Sequence, residues 1–582
     1  MEGYFLAYDR YPEIKIRGDG VVYDGNEEIA AQIRKEIKQR NAKVTVIECY
    51  PCTDEEVLRE GLIQRISPDM VIHADDVFVS KQKVTEMIQH HLTDDRVFGI
   101  FSHHRLEDFL HPERLADVRK QLEANRKQRI VIYGVGASLV TKPDLLIYAN
   151  LSRCEILNRF EQKSVCNWKA DNGEEEPLRK VKRAYFFEWQ VADRLKKKLF
   201  AQMDYVLDVN RADHPKMISG QTYQEALAQV VEAPFRLVPF FVPGVWGGKW
   251  MQEKFNVGKD QVNLAWCFDG VPEENSLYLN IQGKRVEVPA IDLVYQQPLA
   301  LLGEKVYGRY GAEFPIRFDY LDTMGGGNLS LQVHPLVEYA QETFGLHYTQ
   351  DESYYLMEAE EDAVVYLGVK KGVKKEELVR DLEIAQQGGA PFPDEKYIYR
   401  RKVKKHDHYS IPAGTVHASG KNSVVLEISA TPNRFTFKLW DWGRLDLNGL
   451  PRPIHLNHGK ENIQMDRDEE WVERELCNKV EVLQEHDGWR EERTGLHQRE
   501  PIETRRHWFT KEVVHETHGS VNVLNLVEGE EAVVKSIDGS FEPFVVHYGE
   551  TFIIPEKVKK YIIAPHGPSV GKELATIKAF IR

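Results

Sequence analysis

The chain has 582 residues, too many for one hydrophobic core, so about two to four domains are expected. Its composition, 42% hydrophobic and 29% charged, is globular, and no apolar run approaches the roughly 18–20 residues that cross a bilayer. A net charge of -14 argues against nucleic acid as a general partner, and six cysteines in so long a chain do not make a disulfide framework. Met1-Glu2-Gly3-Tyr4 shows no basic-then-apolar leader, which makes a reducing cytoplasm the expected location, with no membrane partner.

The first part alternates short apolar strands with amphipathic helices. Strands are expected at Val44–Glu48, Met70–His73, Ile130–Tyr133, Leu145–Ala149 and Tyr205–Val209. Helices are expected at Glu27–Arg40, Asp54–Ile66, Lys81–Leu92, Leu115–Asn125, Glu155–Gln162 and Tyr185–Ala201, with capping boxes at Thr53/Glu56 and Ser152/Glu155. Such alternation reads as an α/β domain over 1–225 with a mainly parallel sheet. Cys49 and Cys52 have redox spacing but read as ordinary thiols at a strand end.

Parallel sheets bind ligands beyond the carboxyl ends of their strands. Asp75-Asp76 and Gly134-Val135-Gly136-Ala137-Ser138 fall there. With Val71–Val79, Ile147–Asn150 and the basic stretches Arg179–Arg183 and Arg194–Lys198, the segment resembles the P-loop nucleoside and nucleotide kinases. No G-x-x-x-x-G-K-[ST] is present, and Gly18-Asp19-Gly20 is followed by neither lysine nor hydroxyl. The loop therefore has no phosphate cation or magnesium ligand, and a kinase-like domain without nucleotide binding is expected.

Between residues 215 and 236 the helical alternation stops, and the chain turns to short strands with Gly/Pro turns. Two β domains are expected, at 236–467 and 504–582. Helices at Val337–Thr343 and Lys375–Gln387 interrupt the first, and Asp468–Thr504 reads as charged and strand-poor. The last strands are expected at Val521–Leu526, Glu531–Lys535, Phe544–Val546, Thr551–Pro555, Lys560–Ala564 and Leu574–Phe580.

Gln332 and His334 alternate in one strand and would share a face. Glu352 opens a second strand, and Pro412-Ala413-Gly414-Thr415-Val416 turns the chain into His417. Brought together in a barrel, these four make a mixed nitrogen and oxygen site suited to Zn2+ or another divalent metal.

Roughly residues 236–582 resemble the type I phosphomannose (mannose-6-phosphate) isomerases, zinc-dependent cupin enzymes. The resemblance rests on Trp246-Gly247-Gly248-Lys249, Ser330–Pro335, Glu352 before Tyr354-Tyr355, Ile411–Ala418, Leu426-Glu427-Ile428, Lys438–Trp442 and Gly549–Pro555. It implies a catalytic cupin (jelly-roll) domain, a second cupin-like domain at the C-terminus, and Gln332, His334, Glu352 and His417 as metal ligands. It also implies aldose–ketose isomerisation of a hexose or hexose phosphate through a metal-stabilised enediolate. Glu427 matches a family active-site glutamate and reads equally well as a paired barrel carboxylate. Lys438 stands where the family usually has arginine, and Asp441 is the next acidic candidate.

Departures accompany the match. Lysines frequent in the family near the ligand positions are replaced by Leu336-Val337 and Gln350-Asp351, and Lys438 gives up a planar fork for a point charge. Lys249, Arg434 and Arg444 are the cations that could compensate, and the helical insertion at Lys375–Gln387 is short. His406 and His408 read as solvated residues or as supports behind the ligands, and Tyr354 and Tyr355 as facing opposite sides of a strand. The expected activity is a metal-dependent sugar isomerase. The alternative is a sugar-binding regulatory protein that keeps the metal without turnover.

Overall fold

The structure is a computed structural model that describes residues 5–430, 434–495, 497 and 500–582. The first four residues, on which the leader was judged, lie outside them. The chain forms two compact units: an α/β unit of Glu13–Val230 with Ser276–Gln297, and a β unit of the N-terminal residues through Pro12 with Val231–Asn275 and Pro298–Arg582. The chain passes from the β unit to the α/β unit at Pro12/Glu13, crosses back at Val230/Val231, and then returns to the α/β unit for Ser276–Gln297, an excursion that no composition change signals.

The α/β unit holds a seven-stranded sheet, in the order Tyr23–Asp24, Lys216–Ser219, Tyr205–Asp208, Leu145–Asn150, Val44–Cys49, Ile130–Gly134 and Met70–His73. The five strands from Tyr205–Asp208 to Met70–His73 are mutually parallel. Strands such as Val44–Cys49 and Ile130–Gly134 are buried on both faces, Thr45 and Glu48 included, as central strands of a parallel sheet are. A second sheet pairs Glu13–Ile16 in parallel with Ser276–Ile281, which runs antiparallel to Lys284–Pro289.

Helix ends differ from the expected capping boxes. Asp54, not Thr53, caps its helix by accepting from the Val57 amide at 3.0 Å, while the Thr53 hydroxyl donates to the Tyr50 carbonyl. Ser152 occupies an N-cap position, but its hydroxyl donates to Asn210 Oδ1 at 2.7 Å instead of capping. The expected helices over 54–66 and 185–201 each contain a π-helical turn, at Arg59–Ile63 and Ala184–Glu188. Cys49 and Cys52 are free and buried.

In the β unit, two sheets carry the site. A six-stranded sheet runs His408–Ile411, Glu352–Ala359, Ser423–Ala430, Ile316–Asp322, Trp266–Gly270, Phe240–Val242. A five-stranded one runs Ile398–Lys402, Val364–Val369, His417–Ser419, Leu331–Val333, Phe437–Trp440. The tryptophan-glycine-glycine motif is a packing device. Trp246 is fully buried edge-to-face on Trp266, and a Cβ on Gly248 would meet Asp322 Oδ1 at 2.1 Å and the Met324 backbone nitrogen at 2.4 Å.

The remaining strands form two further sheets, of six and four strands, between Glu481 and Ile581. The stretch 468–504, expected to be strand-poor, is not. It contains the hairpin Glu481–His486 and Trp489–Arg493 and the start of Ile502–Phe509. Glu481–His486 is an almost wholly exposed edge strand, so it carries charge on both faces and shows no alternation to read. Among the described residues, no helix is long and apolar enough to cross a membrane.

Candidate metal centre

Strand register sets the site. Gln332 pairs with His417 on one side and Lys438 on the other, so these three side chains share a face of the five-stranded sheet. On the six-stranded sheet, Tyr354 pairs with Glu427 and Glu427 with Asp319, which puts Glu352, Tyr354, Glu427, Asp319 and Arg317 on one face. The two faces meet. His417 Nε2 lies 2.8 Å from Glu352 Oε1, and His334 Nε2 lies 3.0 Å from Glu352 Oε2. Gln332 Nε2 is 3.1 Å from His417 Nε2, and half a turn of that amide presents its oxygen instead. All four are buried. Candidate ligand atoms of His334, Glu352 and His417 all lie within 4.8 Å of one another.

Tautomers decide what this cluster can hold. His334 Nδ1 faces the Phe435 carbonyl at 3.1 Å, and His417 Nδ1 faces the Thr415 carbonyl at 2.8 Å. A carbonyl only accepts, so in each neutral ring the hydrogen sits on Nδ1 and Nε2 presents a lone pair. Both lone pairs then point at a carboxylate that also only accepts. The contacts are favourable only with a cation, or an extra proton, among the three groups. Carbonyls behind imidazoles are also what fixes histidines as metal ligands, so the residues fit a divalent ion. Burial opposes charge on both partners, but their mutual attraction wins. His334 is held above its ordinary pKa by Glu352, and Glu352 is held well below the carboxylate range by His334 and His417.

Glu427 lies beside the cluster. Burial pushes its carboxyl well above the ordinary range, Asp319 and Glu352 add to that, and Arg317 opposes it. Gln350 Nε2 donates to Glu352 Oε2 at 3.1 Å and is 3.4 Å from Glu427 Oε1, a neutral donor between two carboxylates. Tyr354 turns its ring edge to His417, with centroids 5.8 Å apart, while Tyr355 faces away and bonds His406.

Other expected residues are engaged elsewhere. Asp441 is clamped by Arg444 and Arg452, which hold its pKa low against burial, so both Asp441 and Arg444 are committed to each other. Arg434 pairs with Glu274 at 3.2 Å, and Lys249 lines an open groove with Glu253, Glu360, Glu361 and Asp362. His408 is not solvated, whereas His406 stays partly exposed. His406 pairs with Glu528 at 3.0 Å, and His408 is completely buried, 2.9 Å from the Ser353 hydroxyl. Reading from sequence missed Arg317 and Asp319. Charges alternating in Ile316–Asp322 look like a solvent face, yet both are buried beside Glu427.

In the α/β unit the features resembling a phosphate site are satisfied internally. The amides of Gly136 and Ser138 donate to the Glu48 carboxylate at 2.6 and 2.7 Å. Lys196 ion-pairs with Asp292 at 2.5 Å in the interior, and Arg194 donates to the Ser102 and His104 carbonyls.

Two imidazoles and a carboxylate between facing β-sheets define a buried candidate metal centre of the β-sandwich class. The chain is similar to the mannose-6-phosphate isomerase ManA of Bacillus subtilis (strain 168), 27% identical over 233 residues, 40% of this chain and 68% of that protein. It is likewise similar to the mannose-6-phosphate isomerase of Streptococcus mutans, 28% identical over 214 residues, 36% of this chain and 62% of the other. The chain thus spans about two thirds of the length of the curated relatives it matches. The crystal structure of the mannose 6-phosphate isomerase from Bacillus subtilis aligns with 60% of this chain and 100% of its own, at 21% identity and a TM-score of 0.49. Residues 25–232 match a family described as a domain of unknown function (DUF8485).

Proposed function

We propose that the β unit is a metal-dependent aldose–ketose isomerase of the mannose-6-phosphate isomerase type, acting on a hexose or hexose phosphate. The observation that carries this reading is the pair of Nε2 lone pairs aimed at one buried carboxylate, a cluster that calls for a cation. The curated relatives add the reaction class. In this reading Gln332, His334, Glu352 and His417 hold the ion, with zinc as the expected metal for a mixed nitrogen and oxygen donor set. A divalent ion there would supply positive charge where an enediolate develops.

The chain's own side chains do the rest. Glu427, poised neutral by burial and its acidic neighbours, is the proposed proton carrier between the adjacent sugar carbons. Gln350 fixes the separation of Glu427 from Glu352. Lys438, beside Gln332 in register, is the proposed cation for substrate oxygens. The α/β unit keeps a sheet whose parallel strands, numbered along the chain, run 2-3-1-4-5, which supports the kinase-like reading of its fold. Its internally filled anion sites support the absence of nucleotide binding. Free thiols at all six cysteines agree with a cytoplasmic location.

Solvent exchange tests the function. In deuterated water, deuterium should enter C1 or C2 of mannose 6-phosphate or another hexose across a sugar panel, and chelation should stop it. Metal-dependent sugar binding without exchange on any sugar would instead establish a regulatory binding protein.

A further inference from the structure

The C-terminal pair of sheets has an interior that changes character along its length. At one end Phe509, Leu574, Leu526, Val513 and Ile563 form an apolar core. Two residues further along the same inward faces stand His507, Thr576 and His515, then Lys578. His507 and Thr576 are direct cross-strand partners, and His515 reaches in from the opposite sheet with its ring 4.3 Å from that of His507. All four are at most 3% exposed.

These groups are under-satisfied. Both ring nitrogens of His515, Nδ1 of His507 and the Thr576 hydroxyl have no hydrogen-bond partner among the described residues. Lys578 has no ion pair or hydrogen bond among them either; its ammonium lies 5.5 Å from the Phe580 ring centroid. The nearby carboxylate of Glu491 is taken by Arg505 at 2.9 Å and His507 at 3.1 Å. Burial pushes Lys578 down to about 8, and the carboxylates of Glu491, Glu503 and Glu516 only partly oppose the fall. Buried polar groups are almost always paired, so a cluster of orphans beside an unpaired ammonium calls for a missing partner.

We propose that this polar half of the interior binds one small hydroxylated anion, with the anionic group on Lys578 and hydroxyls on His507, His515 and Thr576. The donor pattern sets that chemistry. His507 gives its Nε2 hydrogen to Glu491, so its Nδ1 is an acceptor that needs a hydroxyl donor. Water would satisfy the imidazoles and the threonine but give the ammonium no direct ion-pair partner. A hydroxycarboxylate and a polyol phosphate both meet the requirement. The site is separate from the candidate metal centre, and the proposal stands independently of the isomerase reading.

Calorimetric titration of the full chain, in wild-type form and as His417→Ala to disable the metal centre, tests it. The probes are gluconate and glycerol 3-phosphate. One or both should bind at one per chain in both proteins, and the one that binds identifies the anionic group. Lys578→Met and the isosteric Thr576→Val should each weaken binding at least tenfold; Thr576→Val decides the matter should Lys578→Met fail to fold. No binding by either probe, or binding unaffected by Thr576→Val, overturns the proposal.

Discussion

His417 and Glu352 approach to 2.8 Å through two acceptors, because the imidazole hydrogen is already directed at the Thr415 carbonyl. Such a contact between buried groups is stable only around a positive charge, and the consequences are measurable.

His417→Ala and Glu352→Gln should each abolish stoichiometric binding of zinc, read by elemental analysis of dialysed protein. In the wild-type chain, added metal should raise the melting temperature of the β unit. At a hundredfold excess over Kd the gain is about 2.7 kcal/mol. In either variant that gain should vanish.

Glu427→Gln should retain metal and lose turnover. Removing a positioned general acid–base typically lowers kcat by about 10²–10⁴-fold, and deuterium incorporation into the sugar should fall in parallel. Retained exchange would move the proton-carrying role to another group.

Lys438→Arg and Lys438→Ala separate charge from shape. With Lys438 acting as a substrate cation, arginine should keep activity within about tenfold, while alanine should raise KM for the sugar phosphate or lower kcat/KM by about 10²-fold, as expected when a charged partner is lost. Equal kinetics for all three would exclude contact with substrate.

Asp292 neutralises Lys196 where both are fully buried. Asp292→Ala should destabilise the α/β unit by about 3–5 kcal/mol by stranding the ammonium, and the double variant Lys196→Met/Asp292→Leu should recover most of the loss. Hydrogen exchange over residues 44–230 reads the effect.

His408 gives the β unit an acid limb. Burial, with Arg506 adding to it, depresses its pKa to about 3. Below pH 6.5 the unfolded chain takes a proton that the folded chain refuses, so stability is present at neutral pH and is lost as pH falls from about 6.5 towards 3. The slope approaches about 1.4 kcal/mol per pH unit. His408→Gln should flatten the fall in urea midpoint between pH 7 and 4.

The strands of the α/β unit and of the C-terminal sheets were legible because apolar runs and period-two alternation record burial directly. Gln332, His334, Glu352 and His417 could be singled out because metal-ligand types in a related order are rare by chance, and the structure gathers them between facing sheets. Arg317, Asp319 and His408 could not. A charge or imidazole in an alternating strand looks the same whether its face meets water or another sheet, and only the register against Glu427 and Tyr355 tells them apart. The edge strand Glu481–His486 failed for the opposite reason, since neither of its faces is buried.

The excursion of Ser276–Gln297 has a consequence for biosynthesis. Ser276–Ile281 supplies the partner for the strand Glu13–Ile16, and Asp292 supplies the counter-ion of Lys196. A ribosome that has made only the first 230 residues therefore holds an α/β unit with an unpaired strand and a stranded cation. That half of the protein can finish folding only after the opening stretch of the other has emerged, so any attempt to express it by cutting at residue 230 severs it from its own last pieces.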